Sequence, residues 1–389
     1  MKNTTVLISG ASIAGPALAY WLDHYGATVT VVERASALRG GGQAVDFKGA
    51  THQTVLERMG IRDEVYRRQT GGHDQRMIDE HGRQLALLPG EFTGGDVEIR
   101  RGDLAELLYE RTAGTCEYLF GDTITSLTDT ASGVHVTFAS SPPRTFDLVV
   151  GADGIHSNVR RLAFGPEEDF VHFLGHYYAL ADVGGWGDAA SDGVMYNEPG
   201  RMVAVGGPKA QAFFVFASDE LTYDRYDTEQ QKKLLLDAYR GGGWRIPELM
   251  RQVPASTGFY LDSLSRVHMD HYSKGRVVLI GDSAYGNTLG GFGSGLAIVA
   301  AYVLAGELHR AGGDHVAAFG AYEERFRGYA KVAKRGNAGP FLAPGSKLKI
   351  RMRNWTFKLG FLFKAMMKLT DKLATDIELP DYSAAVTGR

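Results

Sequence analysis

The sequence predicts an α/β protein. A nucleotide-binding domain of parallel βαβ units is interrupted by a mainly antiparallel β-sheet domain and followed by a C-terminal bridging helix. Three observations carry this expectation. A strand, a small-residue turn, a helix and a second strand follow one another within about 30 residues near the N-terminus. Two more strand-to-glycine-loop units recur, at Phe146–Gly154 and at Arg276–Gly286. Between them lie short strand-like runs broken by Gly, Asn and Pro, the pattern of an antiparallel layer.

Thr4–Ser9 is a short apolar strand, and Gly10–Gly15 is a loop of small residues. Pro16 suits a first helical turn, where its missing N–H costs nothing. Leu18, Trp21, Leu22 and Tyr25 then form a helical stripe, and Gly26 serves as its C-cap. Ala27–Glu33 is a second strand rich in β-branched residues. Phe146–Val150 runs into Gly151-Ala152-Asp153-Gly154, with Ser157 available as an N-cap. Gly193–Asn197, Arg201–Val205 and Ala212–Ala217 read as strands of the inserted sheet. Arg276–Ile280 leads into Gly281-Asp282 and a glycine-rich loop, then a helix from about Ser294 to Arg310. The expected division gives 1–70, 100–170 and 266–335 to the nucleotide domain. It gives 71–99 and 171–265 to the substrate domain, and 336–389 to a C-terminal helical segment. In that segment Trp355, Leu359, Leu362, Met366 and Leu369 fall at helical spacing. Residues 340–372 hold eight Lys or Arg against one acid, Asp371. This is expected to be a helix packed along both domains, its basic face in water; a membrane surface is the alternative.

Composition bounds the function. The chain has 389 residues, enough for two domains, and a net charge of −3, which argues against a nucleic-acid binder. Its 50 glycines exceed the usual share of about 7% without a collagen period, as many tight turns and close approaches to a ligand would require. A single cysteine, Cys116, excludes an internal disulfide and a Cys-rich zinc site, and suggests a reducing, cytoplasmic setting. No stretch of about 18 apolar residues suggests a transmembrane span. His268 and His271 lack the carboxylates of a metal site, so no metal is expected.

The N-terminal loop has the three small positions of a dinucleotide fingerprint at Gly10, Ser12 and Gly15, with serine in place of the middle glycine. Glu33 ends the following strand 23 residues after Gly10, where a carboxylate accepts from an adenosine ribose. The second motif is Gly151-Ala152-Asp153-Gly154-Ile155-His156-Ser157-Asn158-Val159-Arg160, and the third is Gly281-Asp282-Ser283-Ala284-Tyr285. In this order and spacing the three resemble the group A flavin-dependent monooxygenases, the FAD aromatic hydroxylases. Nearly the whole chain is covered, and the antibiotic-modifying, tetracycline-inactivating branch looks nearest.

The resemblance implies a Rossmann-like FAD-binding domain and assigns roles to matching positions. Gly10, Ser12, Ile13, Ala14 and Gly15 would hold the pyrophosphate at a helix N-terminus. Glu33 would take the ribose, Arg34 the neighbouring FAD groups and Arg101 the FAD linker. Asp282 would bond the ribityl hydroxyls. Asp153 belongs to the motif used around the pyrophosphate and NAD(P)H. Gln43 and Asp46 lie in the stretch passing the isoalloxazine, and the backbone from Gly290 through Gly293 to Gly295 would lie against the ring. Asp103 and Glu106 read as a local capping pair. The chain departs from the family at Ser283-Ala284-Tyr285, at Leu289 near an expected proline, and at Gly291-Phe292-Gly293.

The implied activity is NADPH- or NADH-dependent oxygenation of an apolar aromatic or polycyclic small molecule by O2, through a flavin C4a-hydroperoxide. A flavin dehydrogenase without oxygen insertion, and a non-catalytic binder of an apolar molecule, are the alternatives. Such chemistry needs a dry pocket. Residues 170–216 hold nine aromatics in 47, a richer share than the chain's 11%. Phe214 and Phe216 share one strand face, with Phe213 on the other. Together with Tyr196, Arg201 and Tyr285 they are the pocket candidates. No catalytic base is singled out. A monomer or weak dimer is expected, with no nucleic-acid partner.

Overall fold

The computed structural model describes residues 1–38, 40, 44–90, 95–186, 193–207, 211–290, 293–330, 336–358, 377 and 379–382. In chain order the principal elements begin with β1 (Thr5–Ser9), α1 (Ala14–His24), β2 (Thr28–Glu33), β3 (Ala44–Phe47) and α2 (Gly49–Arg58). β4 (Gln75–Ile78), β5 (Gln84–Leu88), β6 (Val97–Arg100), α3 (Arg101–Glu110) and β7 (Glu117–Phe120) follow. A meander of β8 (Ile124–Thr130), β9 (Gly133–Phe138) and β10 (Arg144–Phe146) precedes β11 (Leu148–Gly151) and α4 (Asn158–Ala163). Then come β12 (Val171–Asp182), β13 (Gly193–Glu198), β14 (Arg201–Val205), β15 (Gln211–Ala217), α5 (Thr228–Ala238) and β16 (Phe259–Val267). β17 (Ser273–Lys274), β18 (Val277–Leu279), α6 (Gly293–Arg310), α7 (His315–Ala330) and α8 (Lys347–Thr356) complete the order.

The first sheet has the order β17-β18-β11-β1-β2-β7. Only the β17–β18 pair is antiparallel; β1 runs parallel to both β11 and β2, with Val6 beside Leu148 and Val29. β1 is buried from Val6 to Ser9, as a parallel strand covered on both faces requires. The helix α1 ends where Gly26, at φ +85°, lets Gly26 N–H reach Asp23 O and Ala27 N–H reach Leu22 O. α1 and α6 pack together over the same core.

The second sheet has the order β16-β12-β15-β14-β13-β4-β5, antiparallel apart from the β13–β4 pair. Its strands come from residues 75–88 and 171–267, so the chain leaves the parallel sheet twice and returns. Side chains alternate between two faces. Tyr177, Ala179, Tyr196, Val203, Phe214 and Phe216 pack against Leu235, Tyr239, Ile246 and Leu249 of the covering helices. The opposite face carries Met77, Tyr178, Met195, Met202, Val215 and Leu264, with Phe213, Leu289, Leu342 and Phe357 against it. The two apolar faces are thus separate cores, one closed by helices and one turned towards the first sheet.

The C-terminal helix corrects one expectation. α8 starts on the Ser346 hydroxyl, which accepts from Lys349 N–H at 3.2 Å. It buries Ile350, Arg353 and Asn354, while Trp355 is 59% exposed. Arg353 displaces the expected stripe because its guanidinium clamps Asn197 Oδ1 at 2.8 Å and Phe341 O at 2.9 Å. Leu359, Leu362, Met366 and Leu369 lie outside the described residues. The chain returns at Tyr382, whose ring fills the space a side chain on Gly306 would need, and whose hydroxyl donates to Glu307 at 2.7 Å. Among the described residues no helix is long and apolar enough to cross a membrane.

Candidate functional site

The groove lies at the C-terminal ends of β1, β2, β11 and β18, where a doubly wound sheet binds ligands. Gly10 turns the chain at φ +107°, and a Cβ there would sit 2.5 Å from Ala152 O. A Cβ on Gly15 would sit 1.9 Å from Gly10 O, so only glycine lets α1 start this close to β1. No side chain caps the N-terminus of α1 and no acid stands in its first turn. The amides from Ile13 and Ala14 onward therefore present an uncompensated positive end.

Ser12 points its hydroxyl at Arg101, which donates to it from Nε at 3.1 Å and Nη2 at 2.9 Å. Glu33 braces the loop from the end of β2: Oε2 accepts from Ala11 N–H and Oε1 from Ala35 N–H, both at 2.9 Å. Arg34 is exposed, its guanidinium 4.0 Å from the centre of the Tyr226 ring. Asp282 opens to the groove beside Gly293. Surrounding protein raises its carboxyl above the usual range, against the pull of Arg101.

Asp153 does something other than face a ligand. Its carboxylate accepts from Ser157 Oγ at 2.5 Å, Asn158 N–H at 2.9 Å, Val159 N–H at 3.1 Å, Ser9 Oγ at 3.2 Å and Ser283 Oγ at 3.3 Å. It ties all three motifs into one knot. Arg160, fully buried, adds a second tie through Ser283 O at 2.9 Å and Ile155 O at 2.6 Å. Gly295 also has a structural setting: a Cβ there would meet the His52 ring at 2.2 Å, so the glycine seats α2 against α6. Asp46 lies on the β3–β6 ribbon opposite Glu98. Gln43, Gly291 and Phe292 lie outside the described residues.

The pocket candidates are corrected. Phe214 (0% exposed), Phe216 and Tyr196 belong to the face closed by helices, and Tyr196 donates its hydroxyl to Glu198 at 3.1 Å. Arg201 pairs with Phe216 across β14 and β15, and both line a cavity of about 430 Å³ beside Leu234 and Asp237. Tyr285 is buried in the core of the first domain, its oxygen accepting from Gly281 N–H at 2.9 Å. Aromatic content drew these choices, but the β-strand period puts Tyr178 and Phe213 on the groove side instead. Tyr178 is close enough to Arg101 and Asp282 to feel both charges.

His156 is the residue that sequence reading passed over. It sits between Glu167 Oε1 at 2.9 Å and Asp262 Oδ1 at 3.0 Å, and Arg225 pairs Glu167 at 2.9 Å. Burial lowers the imidazole pKa, but the two carboxylates outweigh it and lift it to about 9. Burial raises Glu167, yet His156 and Arg225 hold it down at about 2. Its place inside the second motif was the available signal; the partners come from distant segments. Among the described residues no cluster of His, Cys, Asp or Glu could hold a metal.

Comparison with known proteins agrees with this geometry. The family described as FAD binding domain matches residues 3–315. A flavin-dependent monooxygenase of Legionella longbeachae is 35% identical over 344 residues, covering 86% of this chain and 88% of the relative. The crystal structure of tetracycline destructase Tet(51) aligns with a TM-score of 0.82 at 28% identity, over 98% of this chain and 99% of that one. Tetracycline destructase Tet(55) aligns at 0.79 with 32% identity, over 98% and 100%.

Proposed function

Because this chain belongs to the FAD binding domain family and is a flavin-dependent monooxygenase of group A, we propose that it oxygenates a polycyclic aromatic of the tetracycline type, with NADPH or NADH as reductant. The observation that carries this is the groove-facing side of the second sheet. Phe213 and Leu289, both partly exposed, form an apolar edge over the buried side chains of Met77, Tyr178, Met195, Met202 and Leu264. A flat aromatic molecule would pack against such an edge.

The residues fit FAD. The uncapped start of α1 and the Ser12–Arg101 pair would hold the pyrophosphate. Glu33 keeps lone pairs for the ribose while it braces Ala11. Asp282 would accept from the ribityl chain; its Oδ1 lies 3.6 Å from where a Cβ on Gly293 would stand. Asp153 and Arg160 keep the three motifs in register, and Arg34 stacks on Tyr226 near the adenosine end. When bound, the flavin supplies electron transfer from the nicotinamide and the activation of O2. The protein's part is to bind, orient and keep the space dry.

Incubation of the FAD-loaded chain with tetracycline, NADPH and 18O2 tests the reading. One labelled oxygen in the product is expected. NADPH consumption with hydrogen peroxide and unlabelled tetracycline would leave the enzyme class standing and remove tetracycline as substrate.

A further inference from the structure

Tyr260 and Asp262 stand two residues apart on β16, on the groove-facing side of the sheet. Across β12 they pair with Leu180 and Tyr178. Tyr260 Oη donates to Asp262 Oδ2 at 2.7 Å. Asp262 Oδ1 accepts from Ser263 N–H at 2.7 Å and from His156 Nε2 at 3.0 Å, with a longer approach of 3.3 Å to Oδ2. The other imidazole nitrogen faces Glu167, so both nitrogens donate. Asp262 is only 5% exposed.

A carboxylate can only accept, so the one proton of Tyr260 is committed to Asp262. Tyr260 has only lone pairs for any other partner. The Tyr178 ring lies 5.7 Å away. The Tyr260 oxygen keeps its lone pairs, and the residue is 39% exposed. Tyr260 therefore offers an exposed acceptor on the groove-facing side of the sheet.

We propose that Tyr260 is a specificity-determining hydrogen-bond acceptor for a hydroxyl or N–H group of the substrate, and that Asp262 is the positioning residue that fixes its polarity. This rests on the aromatic-substrate reading above. The chain His156–Asp262–Tyr260 makes the cleft select donors over capped groups such as methyl ethers, whose approach leaves the Tyr260 oxygen unpaired.

The polarity can be reversed. In Asp262→Asn the carbonyl oxygen must stay at the Oδ1 position, where Ser263 N–H and His156 both donate. The amide nitrogen then faces Tyr260 and donates to it, freeing the Tyr260 proton for the ligand. Tyr260→Phe removes the group with little change of shape.

The test uses the FAD-loaded full chain with 2-naphthol and 2-methoxynaphthalene, titrated by the change each makes in the bound-flavin spectrum. The wild type is expected to bind the naphthol more tightly. In Tyr260→Phe that preference falls about tenfold. In Asp262→Asn it falls further, and the ether becomes the better ligand. Both variants holding the wild-type preference within about twofold, a change too small for a lost hydrogen bond, would overturn the proposal while leaving the aromatic reading intact. Failure of both probes to perturb the wild-type flavin would overturn the two together.

Discussion

Arg101, the first residue of α3, clasps the Ser12 hydroxyl with two nitrogens, at 3.1 and 2.9 Å. The serine that replaces the middle glycine of the fingerprint is thus a docking point for a cation at the mouth of the groove. Arg101→Ala is expected to raise the FAD dissociation constant at least about tenfold, the loss of one charge-assisted contact. Ser12→Ala, which leaves the guanidinium in place but unanchored, should cost less, about threefold. Flavin fluorescence titration distinguishes the two, and equal effects would contradict the assignment of Arg101 to the cofactor.

The two motif aspartates should separate cleanly. Asp153 receives five internal donors, so Asp153→Ala is expected to destabilise the cofactor-free protein by about 3 kcal/mol through donors left unpaired. Asp282 opens to the groove, and Asp282→Ala should leave melting of the cofactor-free protein nearly unchanged while weakening FAD retention. Melting curves with and without FAD read both effects.

The two faces of the second sheet predict opposite phenotypes. Phe214→Ala empties a fully buried site and is expected to cost about 3–5 kcal/mol of stability. Phe213→Ala alters the partly exposed groove-facing edge and should raise KM for an aromatic substrate. Chemical denaturation with steady-state kinetics on both decides the matter.

The His156 network carries a pH dependence. The raised imidazole pKa stabilises the folded state in full below about 6.5, and that contribution is lost as pH rises through about 9. The lowered Glu167 carboxyl contributes above about 4.5 and is lost as pH falls through about 2. The groups facing the imidazole are Asp262, Glu167 and, behind Glu167, Arg225. His156→Gln is expected to lower stability by about 2 kcal/mol near pH 6 and by much less near pH 9.5. A difference independent of pH would contradict a charged His156.

Much of the loop geometry of the first sheet was legible because glycine spacing and strand endings are local signals. Gly10 and Gly15 make the turn and the close approach that their spacing implies, and Glu33 ends β2. The substrate side was legible only as composition. Phe213 and Phe214 differ by one position, and the choice between their faces depends on Tyr239, Leu235 and Leu249 closing one side. Nothing local to β15 announces those helices. His156 shows the same limit: its motif is local, while Asp262 and Arg225 arrive from other parts of the chain. Tyr285 was misread because a buried phenol capping a backbone N–H looks, in sequence, like a pocket phenol.

We propose that this groove binds FAD and that the bound flavin is reduced by a nicotinamide. The visible spectrum of the purified full chain, before and after NADPH without oxygen, tests this most directly. An oxidised flavin spectrum near one FAD per chain, bleached on reduction, is expected. A chain showing no flavin spectrum even after FAD is added would contradict it.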